Sequence, residues 1–299
     1  MNTAKPATLD DVPGWLFSQD QALISWFLER QNRLAIPGDL LELGAYLGKS
    51  AILIGRYRLD DQRLTVCDLF EDAAQDHDND EEMRQYRSTL TRLAFERNYL
   101  AFHTALPSIV QGLTSTISSH VAPQSCRFAH VDASHLYEHV EADIKACRAV
   151  LNSDGLLVCD DFRAPHTPGV AAAVWSAVTH GELHPICLSD SKFYGTWGDP
   201  GPVQSELIAW LKTFGPQYVE TQKIAGSTVV RIADWHPPKA EIRSHANAAT
   251  RIGAPGVEAS ALRKGIPIAR RVAREVLPPV ITRALKALMR FATSQSTTR

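Results

Sequence analysis

The sequence predicts an α/β chain: a doubly wound, mainly parallel sheet of seven strands with helices on both faces, followed by a basic helical tail. Three observations predict it. Short apolar runs such as LLELG and LLVCD alternate with longer segments of helical period. Several of these runs stop at a glycine or an aspartate, as strands do where they feed a functional edge. The balance of acids and bases then changes sign near the C-terminus.

The elements follow in order. QDQALISWFLERQNRL spaces Leu23, Trp26, Phe27 and Leu34 as a helix, and IPGD breaks it. DLLELG reads as a buried strand entering a glycine turn, GKSAILIGRYR as a helix and RLTVCD as a second strand ending on Asp68. EDAAQDHDNDEE is too acidic to pack and is expected as a loop or lid. Residues 82–97 read as a helix, YLAFHTAL as a third strand and LPSIVQGL as another helix. CRFAHVDASH is a fourth strand, Tyr137 to Val150 an amphipathic helix, and NSDG a turn with Gly155 in a helix-capping role. LLVCDDF is a fifth strand, TPGVAAAVWSAV a helix, and LHPICL and TVVRIA two last strands around the helix SELIAWLKTF.

Composition sets limits. A chain of 299 residues with 44% hydrophobic and 21% charged residues can bury one large core. Its five cysteines are odd in number and form no C-x-x-C pair, which suits reduced, buried thiols. MNTAKPATLDDVPGW lacks the apolar centre of a signal peptide and no run approaches a membrane span, so a cytoplasmic location is expected. The net charge of −2 hides ten Lys or Arg in residues 251–299 against Glu258 and Glu275, which leaves about −10 for the rest. A body so acidic argues against a nucleic-acid groove. The expected division is an arm at 1–11, a domain at 12–236, a linker at 237–260 and a basic amphipathic tail at 261–299. That tail reads first as helices packing on the body or on a second subunit, and in the alternative as a peripheral contact with anionic lipid or a protein partner.

ELGAYLGKS, residues 42–50, mimics a phosphate-binding loop but is one residue short of G-x-x-x-x-G-K-[ST], and Glu42 beneath it would repel phosphate. No G-x-G-x-x-G is present either. With a strand before it and a helix after it, the stretch resembles the E-x-G-x-x-x-G loop of the class I S-adenosylmethionine-dependent methyltransferases. That resemblance implies a Rossmann-like methyltransferase domain. Gly44 and Gly48 would let the backbone approach the cofactor, Glu42 would face its ammonium group and Asp68 would accept its ribose hydroxyls. Tyr46, Ser50, Asp132 and His103, the last at the end of the expected third strand, complete the expected cofactor set.

A second constellation lies at the ends of the fourth and fifth strands: Asp132 and His135 in VDASH, Asp160 and Asp161 in VCDDF. Carboxylates this close repel unless a cation or proton separates them, and oxygen ligands select Mg²⁺. The pattern resembles the metal-dependent O-methyltransferases that act on sugar hydroxyls in macrolide and mycobacterial polysaccharide pathways, over about VPGWL to Asp234 and including DDFRAPHTPGV and SKFYGTW. By that resemblance Asp132, Asp160 and Asp161 hold Mg²⁺ and His135 is the general base. The acceptor is then a small molecule or a glycan, and the enzyme is a candidate homodimer. The rivals are methylation of a catechol-like diol or another natural product, and a non-catalytic cofactor-binding protein that assembles through its tail.

Overall fold

In the computed structural model, which describes residues 5–74, 76–84 and 89–244, the apolar runs settle into the centre of one sheet. β1 (Asp39–Leu43), β2 (Leu64–Asp68), β3 (Ser108–Gln111), β4 (Cys126–Val131) and β5 (Leu151–Cys159) are mutually parallel and lie in the order β3-β2-β1-β4-β5. β7 (Phe193–Thr196) joins β5 antiparallel, and β6 (His184–Leu188), β9 (Ser227–Ile232) and β8 (Val219–Ile224) extend the same edge. The sheet therefore has nine strands among the described residues rather than the seven expected, and its class is as expected.

Alternation along each strand divides the core in two. Leu40, Val66, Phe128, Val158 and Tyr194 point to a layer shared with α1 (Ser18–Arg33), α2 (Lys49–Gly55), α4 (Arg92–Tyr99) and α7 (Gly201–Lys212). Leu41, Leu43, Ala129, Val131, Leu157 and Phe193 point to the other, covered by α5 (Tyr137–Val150) and α6 (Pro168–His180). By the same alternation Glu42, His130 and Asp160 belong to the α1 side, at the carboxyl edge.

The differences from the expected elements have physical reasons. YLAFHTAL is no strand: Tyr99 ends α4, and Ala101 and Phe102 are apolar because they pack into the core from the turn. The third strand is instead SIVQ, inside the segment expected as a helix, and its half-exposed edge position gave it no apolar run. NSDG is an irregularity inside β5, whose pairing with β4 jumps from Cys126↔Leu151 to Phe128↔Leu156, so Gly155 caps no helix. Part of the acidic stretch forms a short helix, α3 (His77–Met83), started by the Asp76 carboxylate accepting from Asn79 N at 2.9 Å. Asp143, a carboxylate on α5, is 1% exposed.

Chain past Trp235 does not leave the body at once. Leu9 N donates to Ile242 O and Ser244 N to Ala7 O, and Ile242 and Ser244 are buried, so the first residues expected as linker lie against the N-terminal arm. The rest of the linker and the basic tail at 261–299 lie outside the described residues. No helix among those described is long and apolar enough to cross a membrane.

Candidate active site

The loop after β1 is shaped by two glycines and one carboxylate. Gly44 has φ +78°, and a Cβ there would stand 2.1 Å from the backbone oxygen of Asp132. The residue is thus required by the close approach of the β1 and β4 ends, tied by Asp132 N donating to Leu43 O at 2.8 Å. Gly48, φ +96°, lies under the Phe95 ring. Tyr46 takes φ +48°, and its ring stacks on that of Trp15 at 5.6 Å. Ser50 is buried in the first turn of α2, and the ammonium of the half-buried Lys49 donates to Gly14 O at 3.1 Å.

Asp68 does something the sequence did not suggest. One of its oxygens accepts from Ala45 N at 2.7 Å and Tyr46 N at 3.0 Å, and the other from Phe70 N at 2.6 Å. Three of the roughly four acceptor positions of the carboxylate are taken up by the loop, so at most one is left for the ribose hydroxyls expected there. Asp68 holds the glycine loop in shape. Burial pushes its carboxyl pKa up, and these backbone N–H groups oppose the rise. His103 is likewise displaced from its expected place: with no strand there, its ring stacks on Tyr99 and its Nε2 lies 2.9 Å from Ile52 O, on the flank of α2.

Next to the loop lies a dry row of charge. Glu42 and His130 are paired residues on β1 and β4, both fully buried, with Glu42 Oε1 3.0 Å from His130 Nδ1. Glu42 Oε2 is buried without a hydrogen-bond partner. The antiparallel register Cys159↔Phe193, carried one step on, sets Asp160 opposite Lys192. The Lys192 ammonium contacts the Asp160 carboxylate and lies 3.3 Å from His130 Nε2. From α1, the buried Asp20 accepts from Tyr194 Oη at 2.7 Å and Ser191 Oγ at 2.8 Å. Burial and the neighbouring Asp160 charge push the Asp132 carboxyl well up. Burial raises Asp160 too, but Lys192 and His130 outweigh it and its net shift is downward.

Ligand-capable atoms of His130, Asp132 and Asp160 lie within 4.8 Å of one another. Asp161 is not in that set, contrary to expectation. Its φ of +53° turns the chain, and its Oδ2 lies 2.9 Å from His135 Nε2, each side chain about a third exposed. His130 was missed, although a histidine two residues before Asp132 on one strand shares its face. Lys192 had only one sequence signal, a single charge entering the apolar run FYGTW.

His135 opens onto a cleft of about 400 Å³ whose walls include Tyr137, His166 and Thr167, with the His166 ring 6.4 Å from that of His135. A space of about 10 Å³ behind it touches Asp132, His135 and Asp160, roughly the room one water or small ion needs. Gly169, in the first turn of α6, brings that helix against the His135 backbone: a Cβ there would lie 2.5 Å from His135 O.

Residues 41–162 match the family model described as a methyltransferase domain. Among solved structures, the O-methyltransferase NovP superposes with a TM-score of 0.51 at 18% identity, over 60% of this chain and 79% of its own. CalS11, described as a TDP-rhamnose 3'-O-methyltransferase of calicheamicin biosynthesis, gives 0.42 at 20% identity over 60% and 81%. The SAH-bound Podospora anserina methyltransferase PaMTH1 gives 0.41 at 15% over 59% and 78%. No curated protein matches the sequence.

Proposed function

From the premise that residues 41–162 form a methyltransferase domain, we propose that this chain is an S-adenosylmethionine-dependent O-methyltransferase. Its acceptor is a hydroxyl, on a sugar of a polysaccharide, glycolipid or natural product. The observation that carries the reading is the His135–Asp161 pair, 2.9 Å apart, at the mouth of an open cleft beside the carboxylates of Asp132 and Asp160. An imidazole held by a carboxylate and reachable from a cavity is the arrangement of a general base with its orienting partner.

S-adenosylmethionine brings a methyl group on a sulfonium, and its positive charges match an acidic crevice. Glu42 fits that cofactor better than any anion. Its unpartnered buried oxygen has no donor of its own, and an amino-acid ammonium is the donor that would complete it. Asp68 contributes by fixing the loop through Ala45, Tyr46 and Phe70. Tyr46 belongs to the same loop and Ser50 to the helix turn that follows it, whereas His103 is not part of this assignment.

The carboxylates of Asp132 and Asp160 fit Mg²⁺, an ion often held by one or two carboxylates with water and substrate oxygens filling its other positions. Mg²⁺ held there would supply Lewis acidity toward an acceptor hydroxyl. Asp161 is assigned to His135 instead. His135, held by the Asp161 carboxylate, is the base that takes the hydroxyl proton. The deprotonated oxygen attacks the methyl carbon opposite the departing sulfur. The chain's main contribution is alignment, with the β1 loop holding one reactant and the His135 cleft the other.

The test is methyl transfer from labelled S-adenosylmethionine to a panel of sugars and sugar-containing lipids, with and without chelator, in wild type and His135→Ala. Turnover that chelator and the substitution both abolish supports the whole reading. Turnover indifferent to chelator removes the metal, and cofactor binding without turnover on any hydroxyl removes the enzyme. The basic tail's proposed contact with anionic surfaces is tested separately, by vesicle pelleting of the full chain against one ending at residue 250.

A further inference from the structure

Among the described Lys and Arg residues only Arg127 and Lys192 are fully buried, and they serve opposite ends of the sheet. Arg127 enters β4 at its amino end and gives its N–H groups to neutral oxygens of Gln31, Asn32, Gln62 and Tyr57. A guanidinium tied in this way through both terminal nitrogens, with only Nε left without a partner, is a structural cross-brace. Lys192 is different in kind, because what surrounds it is negative: Asp160 in contact, with Asp132 and Asp20 close enough to raise its pKa against the effect of burial. At 1% exposure it has no route to water that would let it leave the group cheaply.

The position of the ammonium matters as much as its charge. It touches Asp160 and stands 3.3 Å from His130 Nε2, two of the three residues whose ligand atoms cluster within 4.8 Å. It therefore lies where a metal ion would draw its own stabilisation. We propose that Lys192 is a resident counter-cation of the acidic site, a tethered stand-in that keeps Asp132 and Asp160 assembled when no divalent ion is bound and limits how tightly one binds. The inference rests on the metal reading given above. It adds that affinity is set by a residue that is not a ligand.

Like charges a few ångströms apart repel strongly away from bulk water, so removing the ammonium should favour a divalent ion at its side. The experiment is calorimetric titration of Mn²⁺ and Mg²⁺ into the full chain as wild type, Lys192→Met and Lys192→Arg, with thermal melting in chelator and in excess ion. The expected result is an affinity for the ion tighter by roughly tenfold or more in Lys192→Met. That variant should also melt lower than wild type in chelator and recover more on adding ion, and Lys192→Arg should follow wild type in both. Unchanged or weaker binding to folded Lys192→Met overturns the role of Lys192 and leaves the metal reading standing. Binding to no variant, with S-adenosylmethionine still bound, overturns both. Should Lys192→Met not fold in chelator, rescue of its folding by Mn²⁺ supports the proposal. Failure to fold even with ion moves the test to Lys192→Gln, judged by the same titration.

Discussion

The Lys192–Asp160 pair and the His135–Asp161 pair use adjacent carboxylates and differ in their access to water. The first has side chains 1% and 8% exposed, the second 31% and 31%. A buried ion pair is costly to open, since either charge left alone is stranded in a low dielectric, so its natural role is to hold a geometry. A half-exposed imidazole can exchange its proton with substrate and solvent, so its natural role is to turn over. One turn of backbone at Asp161, with φ +53°, separates the two environments.

The largest expected effect breaks the open pair. His135→Ala should lower kcat by about 10²–10⁴-fold, far more than any change in melting temperature accounts for, because the imidazole is a third exposed and faces the cleft. Asp161→Asn, which keeps the shape, should cost less. Steady-state kinetics beside a melting curve checks both, and a His135→Ala enzyme that melts low but turns over normally would reverse the assignment of roles.

On the buried side, Glu42→Gln should weaken S-adenosylmethionine by roughly ten- to hundredfold, the worth of a charge-assisted hydrogen bond, while kcat at saturation changes little. Isothermal titration reads it directly. Equal affinity would mean that the unpartnered oxygen of Glu42 faces something other than the cofactor.

The β2–β1–β4–β5 half of this arrangement was legible in the sequence because buried parallel strands are continuous apolar runs, and each announces its end with Asp68, Gly44, Asp132 or Asp160. The other half was not. That Lys192 meets Asp160 depends on β7 inserting antiparallel beside β5, a choice that no local pattern around FYGT reveals. β8, with Glu220, Gln222 and Lys223 in an exposed edge strand, carries no apolar signal at all. His103 shows the converse error: an apolar neighbourhood around it came from packing on α2, and it was taken for a strand. Asp161 was expected beside Asp132 and Asp160 and lies against His135 instead, since its left-handed turn cannot be read from DDF.

A backbone contact connects the two regions and sharpens the comparison. Gly169→Ala would place a methyl 2.5 Å from His135 O and 2.8 Å from Tyr137 N. The start of α6 must then move away from the loop that carries the base. The expected cost is about 1–3 kcal/mol of stability, with a loss of kcat and no change in cofactor affinity, because the β1 loop is not touched. A variant that loses cofactor affinity as well would show the two regions to be mechanically coupled.

Asp143 supplies the case that neither pair contains, a buried carboxylate with no cation beside it. It is 1% exposed on α5, and neither oxygen reaches a hydrogen-bond partner. Burial raises its pKa from 3.8 to about 7, with the nearby Thr114 hydroxyl only softening the rise. The folded state therefore holds this proton between pH 4 and 7 where the unfolded chain has released it, so stability from this group is complete below pH 4 and is lost as the pH climbs through about 7. Asp143→Asn removes the titration. Its melting temperature should match wild type at pH 4 and exceed it at pH 8, by about 1–2 kcal/mol of stability. This is the smallest effect of the series and the cleanest in sign. If the two proteins instead melt alike at pH 8, Asp143 finds a cation or water that relieves it, and burial without a cation is then not the penalty that makes Lys192 necessary.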